Sequence, residues 1–484
     1  MAREPEHAVQ ASDVSTIRLR PFAGILGYCV LLALGIQAFL MIRGLGERLF
    51  ASALIHKPVV AEASGAINAN LLHLLTAMVT IILASRVLSA VFRHLRQPPV
   101  IGEVLAGIML GPSLLGAVAP TAYAWLLPQG VATHLGVLAQ LGVILYMFLV
   151  GVELDTSTLR NKTHATILIS HASIGLPFLL GAGAALWLYP GFSNETTPFG
   201  VFAMFLGVSM SVTAFPVLAR LLTDRGLHRT PLGVVALSCA AVDDVTAWCL
   251  LALIVGASQS SMHAVGVAFG GTAVFMALML VFGRPWMRAI LRKHKQAKQL
   301  PQSAFAMLCA AILICASVTE YIGIHAVFGA FLLGTLIPHD SAIAGKLKQN
   351  LEDIVLVLLL PAFFALTGMR TQLSLVSGAG DWLTCGAIIL IACSGKIGGS
   401  ALAARVSGIG WREALSLGVL MNTRGLMELI VLNIGLELGV LTPKLFAMMV
   451  IMALVTTFAS EPLLTLLNPE RRARAATSDA PLES

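Results

Sequence analysis

Charge is what this sequence has least of. Only 11% of its 484 residues are Asp, Glu, Lys or Arg, against 57% hydrophobic, and the mean hydropathy is +0.87. A soluble domain carries about 25% charged residues, so most of this chain has no water to face. Paired cysteines are missing too. Cys29, Cys239, Cys249, Cys309, Cys315, Cys385 and Cys393 all fall inside apolar stretches and none forms a CxxC. They read as small core residues, neither disulfides nor metal ligands. No HExxH and no phosphate loop occurs, and Gly270-Gly271 sits in an apolar run, where it signals close packing. No carbonyl filter of a potassium channel is visible. An intramembrane aspartyl protease needs two carboxylates facing each other around one proton. The buried acids here are adjacent in sequence, which excludes that geometry.

What is present is a succession of apolar stretches from Pro21 to Leu467. Each is about 20 residues long, enough to cross a hydrocarbon core about 30 Å thick. Without water there, each must be a helix that satisfies its own backbone. Fourteen spans are expected: 22–42, 70–92, 98–118, 131–151, 163–188, 198–222, 232–256, 262–283, 304–322, 325–338, 353–373, 382–403, 414–436 and 443–467. The third and tenth are short and Gly-rich, which suits an oblique or broken crossing. Assigning the loops alternately to two sides puts 23 Lys and Arg on one and five on the other. Basic residues mark the cytoplasmic side, so both termini are expected inside. The net charge of +7 thus reflects topology, and no nucleic-acid partner is expected.

The expected organisation is a cytoplasmic tail over 1–21, an extra span and external loop over 22–69, a membrane domain over 70–467 and a disordered cytoplasmic tail over 468–484. The first span could instead be a signal peptide, but it exceeds the usual apolar core of about 7–15 residues. An internal repeat is faintly visible. Ile101 begins I-G-E-V-L-A-G-I-M-L-G and Ile324 begins I-H-A-V-F-G-A-F-L-L-G. Seven spans separate the two runs, an odd number, so the copies must lie in opposite orientations. Inverted repeats with a midplane site between them are the architecture of many secondary transporters.

An ionisable residue at the bilayer centre costs roughly 2.5–3.5 kcal/mol on insertion scales and defaults to a functional reading. Asp243 and Asp244 lie mid-span in A-A-V-D-D-V-T-A-W. Neighbouring helical residues point about 100° apart, so one acid can be held in a structural pair while the other exchanges ligands. Lys396, in C-S-G-K-I-G-G, either pairs with one of these acids or snorkels to the cytoplasmic interface. Pro216 ends the run S-M-S-V-T-A-F-P and breaks or kinks its helix. The freed carbonyls, with the Ser211 and Thr213 hydroxyls, are candidate cation ligands. Seven spans later, N-T-R-G-L-M-E from Asn422 to Glu428 makes a second expected interruption, around Asn422 and Gly425. Two interrupted helices at corresponding positions are a strong pointer to a transport site. Arg424 and Glu428 lie four apart on one helical face, where they can pair. Glu103, one turn into its helix, and Glu320, near the outer end of the ninth span, read as structural.

The run R-Q-P-P-V-I-G-E-V-L-A-G-I-M-L-G-P-S-L-L-G from Arg96, the pair Asp243-Asp244 and Asn422-Thr423-Arg424-Gly425 resemble the monovalent cation:proton antiporter-2 family over roughly residues 70–467. The resemblance implies an all-α polytopic fold of 13–14 transmembrane helices, with inverted repeats, a core domain, a dimerisation domain and two broken helices that cross beside the paired acids. By position, Asp244 matches the family's ion- and proton-carrying carboxylate and Asp243 the acid that pairs with the membrane lysine, here Lys396. Two acids with the lysine lean towards electrogenic exchange. The expectation is therefore an inner-membrane antiporter, not an enzyme and without cofactor. Its partners would be sodium or potassium, protons, the lipid bilayer and a second copy of itself. The open alternatives are a gated potassium efflux protein and a sodium-coupled importer of organic solutes.

Overall fold

The computed structural model describes residues 21–49, 67–95, 97–153, 164–225, 227, 230–258, 262–293, 301–322, 325–337 and 342–467. Among these the regular structure is all helical. In chain order the helices are α1 (Pro21–Gly46), α2 (Ile67–His94), α3 (Pro99–Leu110), α4 (Leu115–Val118), α5 (Pro120–Leu126), α6 (Gln129–Glu153), α7 (His164–Phe192), α8 (Phe199–Ser211), α9 (Phe215–Asp224) and α10 (Pro231–Ser258). There follow α11 (Met262–Leu278), α12 (Arg284–Lys293), α13 (Gln302–Ile322), α14 (Ala326–Thr335), α15 (Ala342–Ile354), α16 (Leu360–Arg370), α17 (Gly378–Val406), α18 (Trp411–Met421), α19 (Leu426–Glu437) and α20 (Pro443–Leu467).

Ten helical stretches among the described residues are long and apolar enough to cross a membrane, and α18 with α19, bent by 46°, makes an eleventh. Three shorter apolar helices, Leu32–Gly46, Phe199–Ser211 and Ala326–Thr335, occupy the remaining expected spans. The sequence left two loops that are in fact helical. A wide π turn, Met279–Gly283, carries α11 straight on into the basic helix α12. Another, Val355–Leu359, joins α15 to α16. The charged face of α15 hides it from an apolar-run search, and Lys348 there reaches Glu153 of α6 at 2.6 Å. The cytoplasmic tails expected at 1–21 and 468–484 lie, but for Pro21, outside the described residues.

The helices sort into two bundles. In one, α7 packs against α8 and α17, α17 against α18 and α20, and α10 against α7 and α8. In the other, α3 packs against α2 and α16, α6 against α14 and α16, and α13 against α14. The inverted repeat is visible in this packing. Advancing seven spans turns the third into the tenth and the fourth into the eleventh. The crossing of α3 with α16 should therefore recur as that of α14 with α6, and it does. Both are glycine contacts: a Cβ on Gly107 would strike the Ala365 carbonyl and one on Gly368 the Val104 carbonyl. On the symmetry mate, a Cβ on Gly151 would strike the Phe331 carbonyl and one on Gly334 the Phe148 carbonyl. Small residues let membrane helices approach this closely.

The two positions the sequence marked as breaks are breaks. Helix α8 stops at Ser211, residues 212–214 run extended, and α9 begins at Phe215. Pro216 therefore sits in the first turn of α9, where its missing N–H costs nothing. Helix α18 stops at Met421, and α19 restarts at Leu426 after Gly425.

Candidate functional site

The two non-helical segments cross and are tied together. Ala214 N donates to Thr423 O at 3.0 Å, and Thr213 Oγ1 reaches Met421 O at 3.0 Å. Gly425 is required at this crossing by space, since a Cβ there would lie 2.6 Å from Val217 Cγ2. A helix that ends inside the membrane leaves its last carbonyls without partners, at the negative end of its dipole. Here two buried cations cap α8. Arg424 donates to Ser209 O at 2.9 Å and Met210 O at 2.7 Å, and Lys396 Nζ donates to Ser211 O. Arg424 is held in turn by Glu428 Oε2 at 2.5 Å. Its own backbone exchanges bonds with Thr457 Oγ1 of α20, at 3.0 Å from N and 2.7 Å to O. All three charged groups are fully buried.

Lys396 does not snorkel. It lies 3.1 Å from Asp243 Oδ2 and 3.0 Å from Ser173 O, with no solvent exposure. Asp243 collects further donors: Ser170 Oγ at 2.7 Å on Oδ1, and Ser173 Oγ at 2.7 Å and Thr213 Oγ1 at 3.0 Å on Oδ2. One residue on, Asp244 is just as buried, and neither of its carboxylate oxygens has a hydrogen-bond partner. The 100° between neighbouring helical side chains is the whole difference. Asp243 bonds to side chains of α7 and α17; Asp244 bonds to neither.

The expected cation ligands make the following contacts. The Ser211 hydroxyl is turned back on Gly207 O at 2.6 Å and lies 3.1 Å from Ile174 O. The Thr213 hydroxyl lies 3.0 Å from both Asp243 Oδ2 and Met421 O, and its one hydrogen serves either acceptor in turn. The carbonyls freed by the first break are those taken by Arg424 and Lys396. Among the described residues, the buried side-chain oxygens without a partner near the breaks are the two of Asp244, Ser209 Oγ, Asn422 Oδ1 and Glu428 Oε1; Asn422 Nδ2 contacts Cys393 Sγ at 3.5 Å. Sequence reasoning missed Ser170, Ser173 and Thr457. Serine and threonine in membrane helices ordinarily bond their own backbone, so nothing marked these. The one available signal was the three-residue spacing of Ser170 and Ser173 on a single face of α7.

Glu103 and Glu320 stand apart from this cluster. Glu103 Oε1 lies 3.4 Å from Ser89 Oγ. Glu320 Oε2 accepts from Ala326 N at 2.7 Å, capping α14. No group of three or more His, Cys, Asp or Glu able to hold a metal occurs among the described residues. A cavity of about 560 Å³ opens between the two bundles, lined by Gln140 of α6, Glu320 of α13, His325, Arg370 of α16, and Asn433 and Glu437 of α19.

Comparison with known proteins adds the following. Residues 75–465 match the family model described as sodium/hydrogen exchanger, transmembrane. The chain is 42% identical over 402 residues to the Na(+)/H(+) antiporter NhaS4 of Synechocystis, covering 83% of this chain and 98% of that one. It is 41% identical to cation/H(+) antiporter 18 of Arabidopsis thaliana, over 82% of this chain and 49% of that one. To K(+)/H(+) antiporter 1 of Saccharomyces cerevisiae it is 34% identical, over 81% and 46%. The chain thus spans about half the length of the plant and yeast relatives. Among solved structures, the sodium proton antiporter MjNhaP1 of Methanocaldococcus jannaschii superposes with a TM-score of 0.59 at 16% identity, over 82% of this chain and 99% of that one. At that identity the likeness is one of fold.

Proposed function

Because the chain belongs to the transmembrane sodium/hydrogen exchanger family, we propose that it is a secondary antiporter that exchanges a monovalent cation for protons by alternating access, with Asp244 as the exchanging group. One observation carries the assignment of the residue. Of two adjacent acids at the same depth, Asp243 is coordinated by four donors and Asp244 by none. Burial disfavours an ionised carboxylate and a bound cation favours it. Asp244 therefore crosses the barrier either protonated or cation-loaded, while an empty charged site is too costly to move through a dry barrier. That rule forbids uncoupled leak and enforces exchange.

The rest of the cluster prepares the site and is not consumed in turnover. Arg424 and Lys396 occupy the carbonyls of Ser209 to Ser211, so those oxygens do not compete for the ion. Glu428 neutralises Arg424. Thr213 positions the crossing through its hydroxyl, and the Ser211 hydroxyl holds the end of α8 against itself and α7. The two bundles supply the parts that alternating access requires: a core carrying the broken helices and a scaffold against which it moves. The charge asymmetry of 23 to five supports an orientation with both termini in the cytoplasm, and an inner membrane as the location.

Relatives are named for sodium, potassium or cations in general, so both ions are substrates to test. In everted vesicles with a pH-sensitive dye, sodium, potassium and lithium are added in turn at several pH values. Proton and cation compete for one carboxylate, so the half-saturating cation concentration should rise about tenfold per pH unit as pH falls through the range where the proton dominates. Half-saturation that does not move with pH would overturn the shared site.

A further inference from the structure

The chain passes from core to scaffold through α11 and α12, between α10 and α13. From Met262 through the π turn to Lys293 it is one continuous helix, about 48 Å long at 1.5 Å per residue. A hydrocarbon core about 30 Å thick covers only part of that length, so the basic end stands in the headgroup layer. It is also the span the protein covers least. Only 11% of the apolar stretch within Gly270–Ala289 is buried, against 28–61% for the other nine long spans among the described residues. Lipid is therefore its main neighbour.

The exposed side chains along it are ordered by chemistry. Val274, Leu278, Val281 and Phe282 are exposed and apolar, and Trp286 follows, a residue type that marks the membrane interface. Arg284 and Arg288 are exposed at the same level and, four apart, share one face. Met287 is buried, and a Cβ on Gly283 would lie 3.1 Å from Leu336 Cδ1, so the helix rests on the scaffold with its arginines turned outward. Neither guanidinium has an acidic partner among the described residues, whereas Arg225 is paired with Glu461, Lys348 with Glu153 and Arg370 with Glu437. The neighbouring chain supplies none either. Arg292, Lys293, Lys295 and Lys298 follow, and no Asp or Glu occurs between Asp244 and Glu320. Topology alone does not ask for that absence, since acids weigh little in the orientation signal. Four to eight basic residues just beyond a span are the pattern that attracts anionic headgroups, and a guanidinium can grip two phosphate oxygens at once.

We infer that α12 is a binding site for an acidic phospholipid of the cytoplasmic leaflet. Its phosphate sits between Arg284 and Arg288, and its acyl chains lie along Val281, Phe282 and Trp286. The choice of leaflet rests on the orientation proposed above; the site itself does not depend on the exchange reading.

The test places the whole protein in phosphatidylcholine liposomes with a minor fraction of lipid brominated high on the acyl chain. The quencher is phosphatidylglycerol in one set and phosphatidylcholine in the other. Trp286 emission is taken as the difference between the protein and its Trp286→Phe variant. The anionic quencher should associate more tightly than the neutral one, by about fivefold for each guanidinium. Arg284→Gln and Arg288→Gln should each remove about that factor. Equal quenching by the two lipids, or a preference that survives both substitutions, would overturn the site. Inorganic phosphate at constant ionic strength should not displace the lipid; displacement would assign the arginines to a soluble anion and end the lipid proposal. Both variants should keep cation-driven proton movement, which shows that they are folded. A wild-type protein that prefers the anionic lipid but drives no exchange would sink the exchange reading and leave this one standing.

Discussion

Asparagine at position 244 keeps the outline of the side chain and loses its titration. Because neither Asp244 oxygen has a partner to lose, Asp244→Asn should insert normally, unfold near the wild-type temperature and transport nothing. Near wild-type cation-dependent proton movement in that variant would be fatal to the proposed mechanism. At position 243 the same change has a different physical meaning. It leaves the Lys396 ammonium buried without its counter-ion, and breaking one side of a buried pair costs about 3–5 kcal/mol. Asp243→Asn should therefore melt well below Asp244→Asn in detergent. Equal melting temperatures would mean that the three hydroxyls and the lysine contribute little to stability.

Among the elements, the two glycine crossings show how closely the helices must approach. At the α6–α14 crossing, Gly151 and Gly334 each face the other helix's carbonyl, and Gly107 and Gly368 repeat the arrangement between α3 and α16. Overpacking a tight contact costs typically 1–3 kcal/mol. Gly151→Ala and Gly334→Ala should each lower the melting temperature, but together by less than their sum, since the first substitution already parts the helices. Gly151→Ala with Gly107→Ala, on separate crossings, should add, as distant sites do. Additivity in both pairs would show that the crossings relax locally without the helices separating.

For the molecule as a whole, alternating access requires the bundles to slide, and the polar ties between them set what must break. Arg370 of the scaffold bonds Asn433 Oδ1 and Glu437 of the core, both at 2.9 Å, and Asn433 Nδ2 bonds Thr367 Oγ1 at 2.9 Å. Arg370 and Glu437 are a third or more exposed, so their pair is worth about 0–1 kcal/mol. That is still enough to bias two nearly balanced states by up to about fivefold. With Gln140→Cys as a reporter in the cavity, Arg370→Gln should slow its labelling by a membrane-impermeant thiol reagent. The swap Arg370→Glu with Glu437→Arg should restore it. Labelling that ignores both changes would mean that this seam does not hold the present arrangement.

The sequence by itself determined that the chain is a bundle of membrane helices, because hydrocarbon admits no other way to satisfy a backbone. It also pointed to both broken helices, since Pro216 falls just past the first break and the Asn422–Gly425 run makes an unlikely packed helix in lipid. It placed the five buried charges too, because charge is so costly at that depth that each one stands out. The helical continuations through α12 and α15 were hidden, since charged amphipathic turns look like loops to a search for apolar runs. Which hydroxyls serve the site was hidden as well. Ser170 and Ser173 lie about 70 residues from Asp243 in the chain, and a serine on an apolar helix bears no mark of what it faces. The division of labour between two identical neighbouring acids was decided only by the tertiary structure. A 100° turn of the helix and the placement of α7 and α17 give Asp243 four donors and Asp244 none.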